Sequence, residues 1–385
     1  MLALHKALKL TGAQHALRHR TAIESRAEGR VCMHGKIYSD YTSNDYLNLS
    51  THRDVIHAFI EAAKQYGTSS GSAPHISGYS HYHEILEHEY AQWQQRDRAL
   101  FFNSGYHANL AVYSVLASRQ HLIFSDKHAH ASILDGVQLS RAKHLRYQHQ
   151  DLSHLSTLLN QHTNKPKLIT TESVFSMDGS ITDLQTLAKL VKQHQALLCV
   201  DDAHGVGVLG ELSRGAVSAA KLNQNDVPCL IQPLGKAMGG MGAMVSGEAR
   251  LIEALQQYAR TYRYSTALPA SMAAALLAAL KVIKTEPERQ QQLQTNIQHF
   301  NIEANKRGLT LLCHDNTAIR SILTGSNEAT LKIQTQLQER GHFVAAIRPP
   351  TVPANTARLR ISLCAKHTPA DITQLLDDLV LCLAK

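Results

Sequence analysis

Short, uniformly apolar runs separated by amphipathic stretches dominate residues 98–246. The runs are rich in Val, Ile, Leu and Phe, and they lack the apolar–polar alternation of strands with one solvent-facing side. Amphipathic segments between such strands are typical of an α/β fold with a mainly parallel sheet covered on both faces. The pattern predicts buried strands at residues 99–102, 121–124, 168–171, 196–200, 227–231 and 243–246.

A second α/β pattern follows Pro269. A long helical region is predicted to about residue 307, and an amphipathic helix over 328–340 should end at Gly341, because glycine readily adopts the left-handed conformation of a helix cap. Strand-like runs occupy residues 309–313, 319–323, 342–347 and 358–363. The predicted organisation is an N-terminal helix and extension (1–45), a large domain (46–285) and a small C-terminal α/β domain (286–385).

Residues 1–20 are basic and amphipathic and contain no acidic side chain. This pattern is compatible with a mitochondrial presequence. The alternative, which we favour, is an ordinary N-terminal helix that lies across the protein.

The six cysteines lie far apart, and neither a secretory leader nor a CxxC pair is present, which predicts reduced thiols and a cytoplasmic location.

Composition narrows the classes of function. The 39 Lys and Arg residues exceed the 31 Asp and Glu residues, so the net charge of +8 favours anionic ligands such as phosphate esters, coenzyme A or an acidic carrier protein. The basic residues are scattered and are not interleaved with aromatic residues, which argues against nucleic-acid binding. No apolar run approaches the roughly 18–20 residues of a membrane span.

The 24 histidines include the clusters His81/His83 and His121/His128/His130, which raise the question of a metal site. The sequence has no HExxH motif and no set of carboxylates at ligand spacing around these histidines. We therefore predict no metal site.

Polar or reactive residues follow the ends of several predicted strands, where open α/β sheets bind their ligands. These groups are Asn103-Ser104-Gly105, Ser125-Asp126, residues 172–176, Asp201-Asp202 and Gly235-Lys236. Because the carboxyl ends of parallel strands share one edge of a sheet, a single cleft is predicted to collect them.

Three of these groups suit pyridoxal phosphate. Lys236 follows a buried strand and lies among glycines, and a partly desolvated lysine is a competent Schiff-base nucleophile. Asp201, three residues before His204, can keep a pyridine nitrogen protonated so that the ring accepts electrons. Gly105 and Tyr106 open a helical segment whose first N–H groups can bind phosphate. Taken singly, these features also fit a surface lysine, a turn carboxylate and a plain strand–helix turn.

Residues 205–210 match the GxGxxG pattern of dinucleotide-binding proteins. That pattern requires a strand–turn–helix context with an acidic residue about 20 positions later. Residues 210–215 are a poor helix start, so we reject dinucleotide binding here.

Together, Gly235-Lys236-Ala237, residues 201–205, residues 173–179 and His130-Ala131-Ser132 resemble the α-oxoamine synthases, a branch of the fold-type I pyridoxal-phosphate enzymes. The resemblance covers nearly the whole chain. Segments 43–47, 75–79, 347–353 and 356–360 are similar to the members of that family that serve biotin biosynthesis. The resemblance implies a large, mainly parallel sheet domain, a smaller C-terminal α/β domain, and a homodimer with shared active sites.

The resemblance also implies a role for each matched residue. For the ring of pyridoxal 5'-phosphate, the resemblance implies Lys236 as the Schiff-base lysine, Asp201 on the pyridine nitrogen, and His204 and Ser176 near the phenolic oxygen. It implies that His130 stacks on the ring and assists proton transfer. For the phosphate, it implies Gly105 and Tyr106, with Ser265 and Thr266 binding the phosphate of the neighbouring subunit. For the substrates, it implies Arg360 and Asn44 on an amino acid carboxylate, Arg18 and Thr351 on the acyl substrate, and His130 beside both.

The implied reaction is the decarboxylative condensation of L-alanine with pimeloyl-CoA or a pimeloyl carrier protein. Alternatives are another member of the branch that uses glycine, serine or a different acyl thioester, and a non-catalytic thioester-binding protein of the same fold.

One position departs from the family pattern. The family usually has a hydroxyl residue three positions before the lysine, whereas this chain has Pro233, which offers no hydrogen-bond donor. Either phosphate is bound more weakly, or Gln232 or Thr266 of the partner subunit substitutes.

Overall fold

The computed structural model describes His5, residues 9–12, His15 to His162 and residues 164–384. The prediction for residues 1–20 lies in part outside the described residues. The chain divides into two compact units. The central unit comprises His52–Phe175 and Ile181–Pro287, and the terminal unit combines Met1–Thr51, Ser176–Ser180 and Glu288–Lys385.

The described strands are labelled in chain order. They are β1 (Ser25–Ala27), β2 (Arg30–Met33), β3 (Lys36–Asp40), β4 (Arg98–Phe102), β5 (Leu122–Asp126), β6 (Lys143–Tyr147), β7 (Lys167–Glu172), β8 (Leu197–Asp201), β9 (Cys229–Pro233), β10 (Ala243–Gly247), β11 (Ile319–Gly325), β12 (His342–Phe343), β13 (Ala345–Ile347) and β14 (Ala357–Ser362).

The α-helices are referred to by their bounds. They are Arg53–Tyr66, His81–Gln94, Gly105–Leu116, Ala131–Ser140, Leu152–Asn160, Leu184–Gln193, Ala216–Ala219, Ala249–Tyr258, Arg260–Arg263, Ala270–Thr285, Glu288–Lys306, Asn327–Glu339 and Pro369–Leu383. Among the described residues, no helix is both long and apolar enough to cross a lipid bilayer.

A seven-stranded sheet with the order β4-β10-β9-β8-β7-β5-β6 forms the centre of the central unit. β5 to β9 are parallel, whereas β10 is antiparallel to both of its neighbours, β4 and β9. β4 therefore runs in the same direction as β9. The carboxyl ends of β4, β9, β8, β7 and β5 lie along one edge, which confirms the predicted mainly parallel α/β sheet.

Successive side chains of the central strands enter two separate apolar clusters. In β8, Cys199 belongs to one cluster, and its neighbours Leu198 and Val200 belong to the other. In β5, Ile123 and Phe124 divide in the same way. Since side chains alternate across a strand, a sheet covered on both faces needs apolar residues at every position, which is why these strands are uniformly apolar.

The terminal unit contains two smaller sheets, with the orders β1-β2-β3-β12 and β11-β14-β13. β12 is parallel to β3, and β14 is antiparallel to both β11 and β13. The helix Asn327–Glu339 ends just before Gly341, whose φ of +91° confirms the predicted left-handed glycine after this helix. The six cysteines are free thiols.

Several predicted elements were wrong or incomplete. Residues 309–313 form no strand: the Leu312 N–H donates to the Ser321 carbonyl in β11, but the Cys313 carbonyl accepts from the guanidinium of Arg320 rather than from a strand. Residues 342–347 divide between β12 and β13, which lie in different sheets. The helical region after Pro269 is two helices, because proline at position 287 interrupts it.

Candidate active site

The turn after β4 has the local structure of an anion-binding helix start. Ser104 caps the helix Gly105–Leu116, its Oγ accepting a hydrogen bond from the His107 N–H at 3.1 Å. The helix geometry leaves the N–H groups of Gly105 and Tyr106 without intrahelical acceptors. Glycine is required at position 105, since a Cβ there would lie 2.6 Å from Cγ of Pro233. The side chain at position 233 therefore lies directly against this helix start.

Gln232 does not substitute for the missing donor at Pro233. Its Nε2 donates to Asp202 Oδ2 and to the Arg214 carbonyl, both at 3.1 Å, and its Oε1 accepts from the Tyr90 hydroxyl at 2.9 Å. Both hydrogens of the amide nitrogen are therefore engaged in the buried interior. This finding excludes one of the two substitutes considered from the sequence.

Asp201 is a buried carboxylate whose two oxygens are both held. It is the last residue of β8 and is 4% exposed. Asn109 Nδ2 donates to Oδ2 at 2.8 Å, and the Ala203 N–H donates to Oδ1 at 3.1 Å. Gly136 allows the close approach of the helix that carries Asn109, because a Cβ at position 136 would lie 2.7 Å from the Asn109 carbonyl oxygen.

A series of hydrogen bonds links Asp201 to His130. Asn109 Nδ2, which binds Asp201, also donates to Ser132 Oγ at 2.9 Å. Ser132 Oγ is in turn 2.8 Å from His130 Nδ1. His130 is the N-cap of the helix Ala131–Ser140 and accepts from the Ser132 N–H, so its ring orientation is fixed by the backbone as well.

Lys236 lies in the loop that joins β9 to β10. The loop is closed by hydrogen bonds from the Gly239 N–H to the Lys236 carbonyl at 2.8 Å and from the Leu234 N–H to the Gly242 carbonyl at 2.9 Å. Burial lowers the pKa of His130, with a smaller lowering by the Lys236 charge and an opposing effect of Asp201. Lys236 and Asp201 thus both shift the pKa of the same imidazole, whereas one cleft for all the strand-end groups stays a prediction.

Glu172 is an acidic group of this site to which the sequence assigned no role. It ends β7, is 4% exposed, and accepts a hydrogen bond from the His130 N–H at 2.7 Å. Burial, and after it the charge of Asp201, raise the pKa of Glu172 to about 8. Glu172 is therefore protonated at neutral pH and adds no second negative charge beside Asp201.

Gly205, the first glycine of segment 205–210, lies against a second buried carboxylate, that of Asp202. Asp202 accepts from Ser173 Oγ at 2.5 Å, and burial raises the pKa of Asp202 to about 7. A Cβ at Gly205 or Gly215 would lie 2.0 or 1.9 Å from the carboxylate oxygens of Asp202. These glycines thus make room for a carboxylate, and residues 203–208 form turns rather than a helix, unlike a dinucleotide site. His204, in the same turn, is buried.

Arg360 and Asn44 meet within the terminal unit, as predicted. Arg360 lies in β14 and is 5% exposed. Its Nη2 donates to Asn44 Oδ1 at 3.0 Å, Nη1 donates to Ser362 Oγ at 2.9 Å, and Nε donates to the Ser176 carbonyl at 2.6 Å. All three acceptors are neutral, and within the described part of the chain no carboxylate pairs with this guanidinium.

Arg18 and Thr351 also meet within the terminal unit, where Arg18 Nη2 donates to Thr351 Oγ1. Arg18 lines an open cavity of about 650 Å³ together with Arg26, Arg348 and His19. The cavity wall also includes Leu331 and Phe343. Positive charge beside apolar side chains suits an acyl chain that ends in an anionic group.

Ser265 and Thr266 lie in the central unit, in the segment before the helix Ala270–Thr285. Thr266 is exposed, and its carbonyl oxygen accepts a hydrogen bond from Asn103 Nδ2 at 2.7 Å. Asn103 immediately precedes the Ser104–Gly105 turn. The role of both residues toward a neighbouring subunit stays a prediction.

Sequence reasoning missed Asn109, Ser132 and Glu172 as supports of the site. Ser132 lies inside the motif that pointed to His130, Asn109 follows Tyr106 by three residues in the predicted phosphate-binding helix, and Glu172 ends a buried strand. A polar residue on the buried face of a helix, or a carboxylate that ends an apolar run, is the signal that identifies such groups, because a buried polar side chain needs a partner.

Comparison with known proteins agrees with this geometry. Residues 37–379 match the family model "Aminotransferase class I and II". The chain is 43% identical over 378 residues to 8-amino-7-oxononanoate synthase of Saccharophagus degradans, covering 98% of this chain and 94% of that protein. It is 44% identical over 359 residues to the enzyme of the same name from Marinobacter nauticus, covering 93% of this chain and 91% of that protein.

Solved structures show the same relationship. Serine palmitoyltransferase from S. paucimobilis, solved with a bound PLP–myriocin aldimine, has a TM-score of 0.93 at 27% identity and covers 99% of this chain and 96% of its own. 8-Amino-7-oxononanoate synthase from Francisella tularensis has a TM-score of 0.78 at 39% identity and covers 89% of this chain and 96% of its own. The predicted fold class and family are confirmed: this chain belongs to the class I and II aminotransferase family of pyridoxal-phosphate enzymes and, within it, to the 8-amino-7-oxononanoate synthases.

Proposed function

We propose that this protein condenses L-alanine with a pimeloyl thioester, with loss of carbon dioxide, to give 8-amino-7-oxononanoate in biotin biosynthesis. Family membership supports the reaction class. The observation that carries the proposal is the series of hydrogen bonds from Asp201 through Asn109 and Ser132 to His130. The charge of Lys236 lowers the pKa of the same imidazole.

The residues of the central unit fit pyridoxal phosphate in charge and hydrogen-bonding capacity. The N–H groups of Gly105 and Tyr106 suit its phosphate, the carboxylate of Asp201 suits a protonated ring nitrogen, and the amine of Lys236 suits its aldehyde. When bound, the cofactor supplies an electron sink for the carbanion formed at the substrate α-carbon.

Asp201 holds a proton on the ring nitrogen, and its neighbours keep it in position to do so. Asn109 and the Ala203 N–H each fix one carboxylate oxygen. Glu172 is protonated at neutral pH and therefore leaves Asp201 as the negative charge for the ring nitrogen. The Oε1 atom of Glu172 accepts a hydrogen bond from the His130 N–H and so fixes the backbone of His130.

Lys236 and His130 handle protons. The Nζ of Lys236 takes the α-proton of L-alanine and returns a proton after carbon dioxide has left. The lowered pKa of His130 keeps its imidazole neutral at neutral pH. Nδ1 accepts a hydrogen bond from the Ser132 N–H, so the neutral ring carries its hydrogen on Nε2, and Nε2 is the nitrogen that can donate a proton.

The terminal unit supplies residues suited to both substrates. Arg360 is a buried guanidinium without a carboxylate partner among the described residues, and a bidentate pair with the L-alanine carboxylate satisfies it. Asn44 holds the guanidinium in place. The cavity lined by Arg18 suits the acyl substrate, whose far carboxylate complements its positive charge.

A visible spectrum of the purified protein, recorded before and after addition of L-alanine, tests the cofactor and the amino acid together. We expect a cofactor absorption band that L-alanine perturbs and that K236A lacks. Glycine and L-serine at equal concentration serve as controls. Release of carbon dioxide with pimeloyl-CoA, with a pimeloyl carrier protein and with other acyl thioesters then defines the donor. An unperturbed band with L-alanine would count against the proposal.

A second candidate is another member of the branch with a different amino acid or acyl chain. It is favoured by the TM-score of 0.93 with a serine palmitoyltransferase, which exceeds the 0.78 with an 8-amino-7-oxononanoate synthase. The sequence identities, 27% and 39%, favour the synthase. Turnover with L-serine and a long-chain acyl thioester, but not with L-alanine and a pimeloyl thioester, would establish the second candidate.

A homodimer with shared active sites is part of the proposal. Exposed apolar side chains on the central unit support it, since large exposed apolar groups commonly mark protein interfaces: Ile56, Phe59, Ile60 and Ile76 are 43%, 38%, 44% and 79% exposed. Sedimentation equilibrium of the holoenzyme tests this state. The cytoplasmic location also stays a prediction.

A further inference from the structure

Asp126, His128 and His149 form a cluster in the central unit that the proposed reaction does not use. Asp126 ends β5, His128 follows two residues later, and His149 comes two residues after the neighbouring strand, β6. One potential ligand atom from each residue lies within 4.8 Å of the other two. Asp126 is buried, His149 is half-buried and His128 is exposed, so the cluster opens toward solvent on one side.

Asp126 fixes the position of both histidines. Its Oδ1 accepts from the His128 N–H at 2.7 Å and lies 3.0 Å from His149 Nδ1. Its Oδ2 accepts from the Gln150 N–H at 2.8 Å. The two imidazoles stack at a centroid distance of 4.1 Å and an angle of 26°, and Phe175 meets the His149 ring edge-on at 4.5 Å.

The ligand atoms of these three residues lie near enough to one another to meet at one metal ion after a side-chain movement. With metal–nitrogen bonds of about 2.0–2.1 Å, two imidazoles on one ion have centroids roughly 4.5–5.2 Å apart. The observed centroid distance is 4.1 Å, but the two rings stack at 26°, so the exposed imidazole of His128 has to rotate out of the stack before a nitrogen of each ring can point at one ion. Two imidazoles and one carboxylate are ligands typical of zinc and its neighbours, whereas Mg²⁺ and Ca²⁺ prefer oxygen ligands alone.

We propose that Asp126, His128 and His149 bind one divalent ion of the zinc class, with solvent completing the coordination. The ion takes the place of the proton between His149 and Asp126, and it joins the end of β5 to the segment after β6. The site does not depend on the proposed reaction, since Lys236 and Asp201 take no part in it. The sequence-based prediction of no metal site weighed His128 with His121 and His130, and it did not consider His149, which lies 21 residues after His128.

Calorimetric titration of the holoenzyme with Zn²⁺, in a buffer that does not chelate metals, tests the proposal. We expect one equivalent to bind with a Kd of about 10 μM or lower, and we expect H128Q to weaken binding about tenfold or more, because it removes one of three protein ligands. H128Q suits the test because the His128 side chain is exposed, and an unchanged cofactor band would show that H128Q folds. Affinity should fall as the pH falls, since protons compete for imidazole.

H121Q is the matched control. His121 lies at the start of the same strand, and its Nδ1 contacts Ser118 rather than the cluster. We expect H121Q to bind Zn²⁺ as the wild type does, Mg²⁺ to give no signal, and Zn²⁺ to raise the Tm of the wild type and H121Q but not of H128Q. The proposal is overturned by the absence of Zn²⁺ binding to the wild type, or by equal binding to the wild type and H128Q.

Discussion

The two ends of the proposed cofactor site are built differently. At the ring end, Asp201 is held by the side chain of Asn109, which is itself held through Ser132. At the phosphate end, the donors are backbone N–H groups at the start of the helix Gly105–Leu116, and Pro233 adds none. One end therefore depends on buried side chains, and the other depends on backbone geometry.

This difference indicates how each end tolerates change. A buried side-chain network loses a partner with every substitution, and an unsatisfied buried polar group is costly. Backbone donors at a helix start persist whatever the side chains are, as long as the helix forms and glycine remains at position 105. We therefore expect ring-end substitutions to have large effects and phosphate-end substitutions to have small ones.

The largest expected effect is that of D201N. The substitution keeps the shape of Asp201 but removes the charge that holds a proton on the ring nitrogen, so we expect kcat to fall about 10²–10⁴-fold. Carbon dioxide release with L-alanine and a pimeloyl thioester measures it. Cofactor content, read from the visible band, should remain near that of the wild type because the phosphate end is unchanged. A normal kcat would contradict the role given to Asp201.

N109A should have the next largest effect. It removes a hydrogen bond to a buried charge, which is typically worth about 1.5–3 kcal/mol, so we expect a loss of roughly 10–100-fold in kcat/KM. S132A is the matched comparison, because Ser132 contacts Asn109 but does not reach Asp201. Its loss should be smaller. Equal losses in the two variants would show that Asn109 acts mainly through the packing of its helix.

E172Q should change how stability depends on pH. The pKa of Glu172 is raised to about 8 from 4.5, so the folded protein binds more protons than the unfolded chain between these values, and stability should fall as pH rises through this window. The amide introduced by E172Q keeps an acceptor for the His130 N–H without titrating. We expect the Tm advantage of E172Q over the wild type to grow from pH 5 to pH 8.5, as followed by calorimetry. A constant difference would exclude the titration of Glu172.

The smallest effect is expected at Pro233. P233T places a hydroxyl against the helix start, and one added hydrogen bond to phosphate should tighten cofactor binding about tenfold or less. P233A is the control, because it introduces the same backbone N–H as P233T but no hydroxyl. Equilibrium dialysis against pyridoxal phosphate measures both variants. Equal affinities for P233T and P233A would show that the hydroxyl does not reach the phosphate.

The sequence predicted the central sheet well because burial on both faces leaves a strong apolar signal. It missed β6, whose Lys143, His144 and Arg146 follow from its place at the edge of the sheet, where one side of the strand meets no neighbour. The apolar run 309–313 resembled a strand. The carbonyl of Cys313 instead accepts a hydrogen bond from the guanidinium of Arg320, a side-chain contact that the apolar pattern does not show.

The chemistry of the site was predicted where a motif named the residue. Lys236, Asp201 and Gly105 lie at strand ends as expected, and Arg360 meets Asn44. The partners of the supporting residues could not be predicted, because these contacts join elements that are distant in sequence. Asn109 and Asp201 are 92 positions apart, and no spacing rule joins them.

The place of β10 in the sheet also limits how early in translation the two sides of the proposed cofactor site can be joined. Ala243 pairs with Phe102 on one side and with Pro233 on the other, so this late strand bridges the gap between the helix start at Gly105 and the loop of Lys236. A nascent chain that has not yet emerged past Gly247 lacks that bridge. The helix start at Gly105 and the loop of Lys236 can therefore be joined through the sheet only after β10 has been translated.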